Sequence, residues 1–210
     1  MINSFKREPI KAVTQDGREV VLREDGTWQY SSESQQLIPR TEEVGFRKAV
    51  WGATKEYVME IESNELLQEE PDALFYDGNV AGFDCLIIYI FANNHLVRGK
   101  YSFTHQHANA NEFIGDYEIL KDLLTKKYGR PRKAEVIWLD DLWRDDPSGW
   151  GVAISSGGLV YYAEWVTDAT DITLILNGDN YEINLAIEYV SKKLGHIENQ
   201  IREQKTLNEL

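Results

Sequence analysis

Apolar and polar residues alternate most cleanly near the end of the chain, where Tyr181, Ile183, Leu185, Ile187 and Tyr189 are interleaved with Glu182, Asn184, Ala186 and Glu188. A period of two sends successive side chains to opposite faces, so this run predicts a strand with one face in a core and the other toward solvent. Asn177-Gly178-Asp179-Asn180 precedes it and supplies a turn, which makes 171–177 and 181–190 the arms of a hairpin. Shorter apolar runs predict strands at 134–139, 150–155 and 158–166, and earlier at 73–77, 83–92 and 95–104. The stretch Phe83 to Phe91 is apolar on both faces, as a central strand requires, and Asn93-Asn94 turns it into the next strand.

Two segments follow a helical period instead. Phe113, Tyr117, Leu120, Leu123, Leu124 and Tyr128 recur at intervals of three and four, with Asn109 or Asn111 as cap, Gly129 as the left-handed stop and Pro131 beyond. Earlier, Thr54 caps a helix carrying Tyr57, Val58 and Ile61 and running toward Glu65-Leu66, with Pro71 beyond. In the first 30 residues, Asp16-Gly17 and Asp25-Gly26 bracket a short strand, which predicts a small β-meander. Residues 31–40, rich in Ser and Gln, read as a linker. Leu194, Ile197 and Ile201 place a short amphipathic helix in the tail, packed on the body of the chain in preference to a partner.

The pattern therefore predicts an α+β fold: a meander arm and linker over 1–40, a first helix-then-meander block over 41–108, and a second over 109–210. The absence of strand–helix–strand alternation argues against a parallel, doubly wound sheet and for antiparallel sheets with helices on one face. Whether the blocks share one sheet is left open by the pattern, as is the oligomeric state.

Charge narrows the partners. With 22 Lys and Arg against 35 Asp and Glu, the net charge is −13. Nucleic acid is disfavoured, because such binding depends on neutralising phosphates. Solubility alone accounts for an acidic balance, and a sharper reading is an acidic face that docks on a basic partner protein. The basic cluster Lys126 to Lys133 is explained by its place at a helix C-terminus, where cations meet the dipole favourably. Six Trp and eleven Tyr favour strands and contact surfaces. The single Cys85 excludes an internal disulfide and lies in an apolar run, as a small buried hydrophobe does. No stretch reaches the ~18 apolar residues of a membrane span, and the N-terminus lacks the apolar core of a signal peptide. The chain as given reads as cytoplasmic; an exported protein shorn of its signal would read the same.

Catalytic motifs are missing: there is no glycine-rich phosphate loop, no Gly-x-Ser-x-Gly elbow and no His-Glu-x-x-His. No cofactor is implied, and a non-enzymatic role is expected. His105 and His107 are the metal candidates, since an extended chain puts both imidazoles on one side about 7 Å apart. No carboxylate motif adjoins them, and exposed loop histidines are the expectation. The candidate binding residues lie in the segment 138–150: Trp138, Asp140, Asp141, Trp143, Arg144, Asp145, Asp146 and Trp150. Two Asp pairs offer oxygens to a hard cation without matching the EF-hand spacing, and Asp145-Asp146-Pro147 has the form of an exposed turn. Tryptophan beside arginine is interface composition, although core packing explains the tryptophans more simply.

Two short resemblances bear on function. Val13 to Trp28, ending in Asp25-Gly26-Thr27-Trp28, resembles a hairpin segment of uncharacterised bacterial proteins, many of them exported. Trp51-Gly52-Ala53-Thr54-Lys55-Glu56-Tyr57-Val58 looks like the Gly-x-Ser/Thr-x-x-x-Val helix start of the β-lactamase-inhibitor-like and outer-membrane assembly lipoprotein folds. The resemblance implies helix-then-meander modules that act through protein–protein contact, some of them in two copies. The lipobox cysteine and disulfides common in those folds are missing here. The expectation is a bacterial protein-interaction module with a binding, inhibitory or assembly role. A small-molecule or ion binder using the 138–150 loop is the alternative, and an enzyme with dispersed active-site residues is a third.

Overall fold

The computed structural model describes residues 10–13, 19–22, 27–30, 45–198 and 200. The chain divides into two compact units, Met1–Glu42 and Glu43–Leu210. In the first, strands β1 (Ile10–Val13), β2 (Glu19–Leu22) and β3 (Trp28–Tyr30) form an antiparallel sheet in that order. Leu22 is paired with Ile10 on one side and Trp28 on the other, which agrees with the expected meander. The two Asp-Gly turns and the linker 31–40 lie outside the described residues.

The second unit is built on one eight-stranded antiparallel sheet, β4-β5-β6-β7-β11-β10-β9-β8. Its strands are β4 (Leu66–Glu70), β5 (Ala73–Val80), β6 (Phe83–Ala92), β7 (His95–Phe103), β8 (Lys133–Trp138), β9 (Leu159–Val166), β10 (Thr170–Asp179) and β11 (Glu182–Ser191). The two sequence blocks thus share a sheet, joined where β7 pairs with β11 through Tyr101↔Ile187 and Gly99↔Tyr189. Register carries one face across the sheet: Leu74 and Tyr76 of β5 stand beside Tyr89 and Ile87 of β6, then Gly99 and Tyr101, then Tyr189 and Ile187. The series continues through Ile172 and Leu174 of β10 to Trp165 and Ala163 of β9. Apart from half-buried Tyr101, these residues are buried, as a period of two with one core face dictates. Central placement of β6 matches its apolar run.

Helix α1 (Lys55–Ile61) starts as expected, with the Thr54 hydroxyl accepting from the Tyr57 amide. It stops at Ile61, however, and Leu66 opens strand β4 rather than prolonging the helix. Helix α2 (Glu112–Tyr128) ends at Gly129 with φ of +84°, a conformation open to glycine without strain. Phe113, Tyr117, Leu120 and Leu124 are its buried residues, and the helix lies beside β9 and β10. Helix α3 (Trp150–Ser155) corrects the strand expected at 150–155. Pro147 opens a 3-10 turn over Pro147–Gly149, and the Asp146 carboxylate caps it by accepting from the Ser148 amide. This start signal upstream overrides the weak strand preference of Val152 and Ile154. Ser155 to Gly158 accordingly closes a helix, with Gly157 at φ +84°.

The final hairpin turns one step later than its composition predicts. Asn180 and Tyr181 both have positive φ, β10 runs through Asn177-Gly178-Asp179, and Tyr181 sits in the turn rather than in the strand. Asn93 and Asn94 form the expected two-residue turn, again with both φ positive. After β11 the chain becomes helical again near Gly195. Leu194 packs against the core, and Glu198 pairs with Arg98 of β7 at 2.9 Å, so the described part of the tail folds onto the body as expected. Ile201 lies outside the described residues. Cys85 is buried on the core face of β6, and burial pushes its thiol up to about 11, which fits a packing role.

Candidate functional site

Two regions collect the side chains singled out by the sequence. In the first, the loop after β8, the three tryptophans hold the backbone in shape. Trp138 and Trp150 meet edge to face at 5.7 Å, and the Trp150 indole donates to the Arg144 carbonyl at 3.3 Å. Trp143 packs against Gly149, where an added Cβ would stand 2.2 Å from the ring, so that close approach requires glycine. All three rings are half-buried against the core, in keeping with local packing. The Arg144 guanidinium lies 6.0 Å over Trp138 and pairs with Asp141 at 2.9 Å.

The aspartates are engaged by the loop itself. Asp140 accepts from the Leu142 amide at 2.8 Å, Asp141 holds Arg144, and Asp146 accepts from both the amide and the hydroxyl of Ser148. Their carboxylates serve local turns instead of converging as a cation cage does. Asp145 is exposed. Among these charged groups the loop also turns two apolar side chains outward: Leu139 is 70% exposed and Leu142 78%.

Asn111 ties this loop to α2. It makes no side-chain cap on its own helix, contrary to one reading of the sequence. Its amide nitrogen donates to the carbonyls of Pro147 and Ser148, at 3.1 and 3.0 Å, and its oxygen accepts from the Gly151 amide. Asn109 accepts from the Asn111 amide instead. Replacing Asn111 with Ala leaves three backbone groups without these partners and is expected to cost about 1–3 kcal/mol, with faster amide exchange at Gly151. An unchanged melting curve and unchanged exchange would show that the bridge holds nothing in place.

The second region corrects the expectation of exposed histidines without a carboxylate. His105 and His107 follow β7, with side chains only 14% and 21% exposed. Both turn their Nε2 atoms to the same oxygen, Oδ2 of Asp116, at 2.8 and 2.5 Å. Asp116 is buried on α2, and Glu112, one turn earlier, approaches His107 Nδ1 at 3.2 Å. Aromatic rings wall the cluster: Phe83 stacks on His105 at 4.9 Å, and Phe113 meets His107 edge to face at 4.7 Å. Asp116 and Glu112 were not singled out by sequence. Their signal is a pair of acids spaced i, i+4 at the start of a helix, a short connection after His-x-His.

A partly buried ion pair elsewhere also escapes the sequence. Glu62, just past α1, accepts from Arg47 Nε at 2.9 Å, from the Tyr89 hydroxyl at 2.6 Å, and from the Ser63 and Asn64 amides. Burial raises the Glu62 carboxyl, but the hydrogen bonds from Tyr89 and Asn64, the Arg47 charge and the Ser63 amide outweigh it and hold the group below its ordinary value. Burial, together with the bond to Glu62, pushes the Tyr89 phenol up.

These elements define an antiparallel α+β protein, and among the described residues no helix is long and apolar enough to cross a membrane. No protein-family model, curated protein or solved structure matches the chain.

Proposed function

We propose that the chain is a non-enzymatic protein-interaction module whose 138–150 loop docks on a basic partner protein. The observation that carries this reading is the exposure of Leu139 and Leu142 on a loop whose backbone is held by packed tryptophans and aspartate caps. A fixed loop loses little conformational freedom on binding, which is the usual advantage of preorganisation. Asp140, Asp141, Asp145 and Asp146 lie close to the two leucines in sequence and are exposed, so a matching partner has an apolar recess with basic residues at its rim.

The finer architecture belongs to the same reading: helices cover one face of the sheet and leave the opposite face and the loop to a partner. Supporting this, Tyr117 of α2 packs on Tyr161 of β9, Tyr128 on Tyr189 of β11, and Phe46 on Tyr89, Tyr101 and Tyr189. By register all of these strand residues stand on one face. The resemblance of 51–58 to inhibitor-like and assembly-lipoprotein helix starts points the same way, toward contact rather than catalysis.

A photo-crosslinking residue at position 142, used in extract of the source cells, tests the proposal. The expected result is an adduct of discrete mass that fades with added salt and with the double change Asp140→Lys, Asp145→Lys, since charge attraction across a rim is screened within about 8 Å at 0.15 M salt. A probe at Leu142 that captures no more than one at exposed Glu118 on α2 would sink the reading.

A further inference from the structure

We infer that His105, His107 and Asp116 form a binding site for a divalent first-row transition metal, of which zinc is the type, with Glu112 orienting His107. The inference rests on how four side chains from two elements converge. The ligand atoms of His105, His107 and Asp116 all lie within 4.8 Å of one another. The histidines come from the extended segment after β7, and the acids come from the first two turns of α2, on the same side of that helix.

The donor geometry distinguishes this cluster from an ordinary ion pair. Two imidazole Nε2 atoms face one carboxylate oxygen, while His107 Nδ1 faces Glu112. Both ring nitrogens of His107 thus face a carboxylate oxygen. A metal ion takes the place of the protons between the Nε2 atoms and Asp116. Glu112 then accepts the Nδ1–H, which is the outer contact that metal-bound histidines commonly make and which selects Nε2 as the ligand atom. Tetrahedral ligands at roughly 2.1 Å from zinc stand about 3.4 Å apart, so the present 2.8 and 2.5 Å contacts open by less than about 1 Å to admit the ion.

The chemistry of the donor set names the class of ion. Two neutral nitrogens and one carboxylate suit zinc, cobalt and nickel, whereas calcium and magnesium take oxygen ligands. Three protein ligands leave a fourth position for water or another small ligand. Phe83, Phe103 and Phe113 flank the histidines, and a dry wall of this kind strengthens the attraction between ion and carboxylate. The site stands apart from the 138–150 loop reading, and either can fail without the other.

The full chain, stripped with chelator, is titrated with Co(II) and with Zn(II). The expected result is one ion per chain, visible Co(II) absorption of tetrahedral strength, and a higher melting temperature with Zn(II). His105→Ala and His107→Ala each lower affinity at least 100-fold, Glu112→Gln lowers it about 10- to 100-fold, and His95→Ala leaves it unchanged. His95 is the control because it begins β7, at the opposite end of the strand from the cluster, and its ring bonds the Gly52 carbonyl at 3.1 Å. Metal-free melting of each variant separates lost binding from lost fold, and His107→Gln replaces any variant that does not fold. Absence of saturable binding by the wild-type chain, or binding that His107→Ala leaves intact, overturns the assignment and leaves a hydrogen-bonded His–Asp–His cluster that closes the β7–α2 connection.

Discussion

Phe46→Ala is expected to destabilise the larger unit by about 3–5 kcal/mol, the range for emptying a buried aromatic site. Phe46 is 1% exposed and meets Tyr89, Tyr101 and Tyr189 at ring distances of 5.1, 4.9 and 5.3 Å. It sits over Gly99, where an added Cβ would come within 2.1 Å of the ring. Gly99→Ala alone is therefore expected to cost about 1–3 kcal/mol through overpacking. In the Phe46→Ala background the same methyl enters vacated space, so the double variant is expected to lose clearly less than the sum of the two single losses. Urea denaturation of all four proteins measures this coupling. Additive losses would show that the glycine and the ring do not share the space the structure gives them.

Glu62 supplies the second large effect, and it depends on pH. Its side chain is only 2% exposed, and Arg47, Tyr89 and two backbone amides are arranged around the ionised form. Glu62→Ala is expected to cost about 1.5–3 kcal/mol at pH 7, the range for losing hydrogen bonds to a charged group, because Arg47 keeps part of its side chain in water. The carboxyl is held below its ordinary value, so the unfolded chain takes up its proton first as pH falls. The stabilisation from ionised Glu62 is thus complete above about pH 4.3, the unfolded value, and is lost as pH drops through the lower folded value. Glu62→Gln lacks this dependence. The stability gap between wild type and Glu62→Gln should be widest near neutrality and narrow below about pH 4. Chemical denaturation at pH 7, 5 and 3.5 reads the gap, and a gap that stays constant across that range would contradict the role given to the charge.

Strong, continuous periodicity made most of the sheet legible. Strand β6 occupies 83–92 as its apolar run predicts, and the two-residue Asn93-Asn94 turn lies where the composition puts it. Strand β4 was not legible, because Leu66-Leu67-Gln68-Glu69-Glu70 shows no alternation and is specified by pairing with β5 at the sheet edge. At 150–155 the local residues favour a strand, and the deciding information sits upstream in Asp146-Pro147, which reads as a turn until the helix behind it is known. The candidate sites show the same division. The 138–150 residues are neighbours in sequence and stay together in space. The histidine cluster depends on Asp116, 9 and 11 residues from its partners across a strand-to-helix connection, and no period or motif spans that gap. Glu62 and Arg47 meet from 15 residues apart for the same reason.

The pairing of β7 with β11 has a consequence for synthesis. β7 is complete at Phe103, but its partner is not finished until Ser191, so one edge of the first block waits for about 90 further residues. At about 5–20 residues per second, the ribosome leaves that edge unpaired for roughly 5–20 seconds. During this interval Tyr101 and Gly99 line an open strand in a half-built sheet, the arrangement most prone to pairing with another chain. A chain truncated before β11 is therefore expected to expose this edge permanently and to aggregate more readily than the full chain, which light scattering of the two would show.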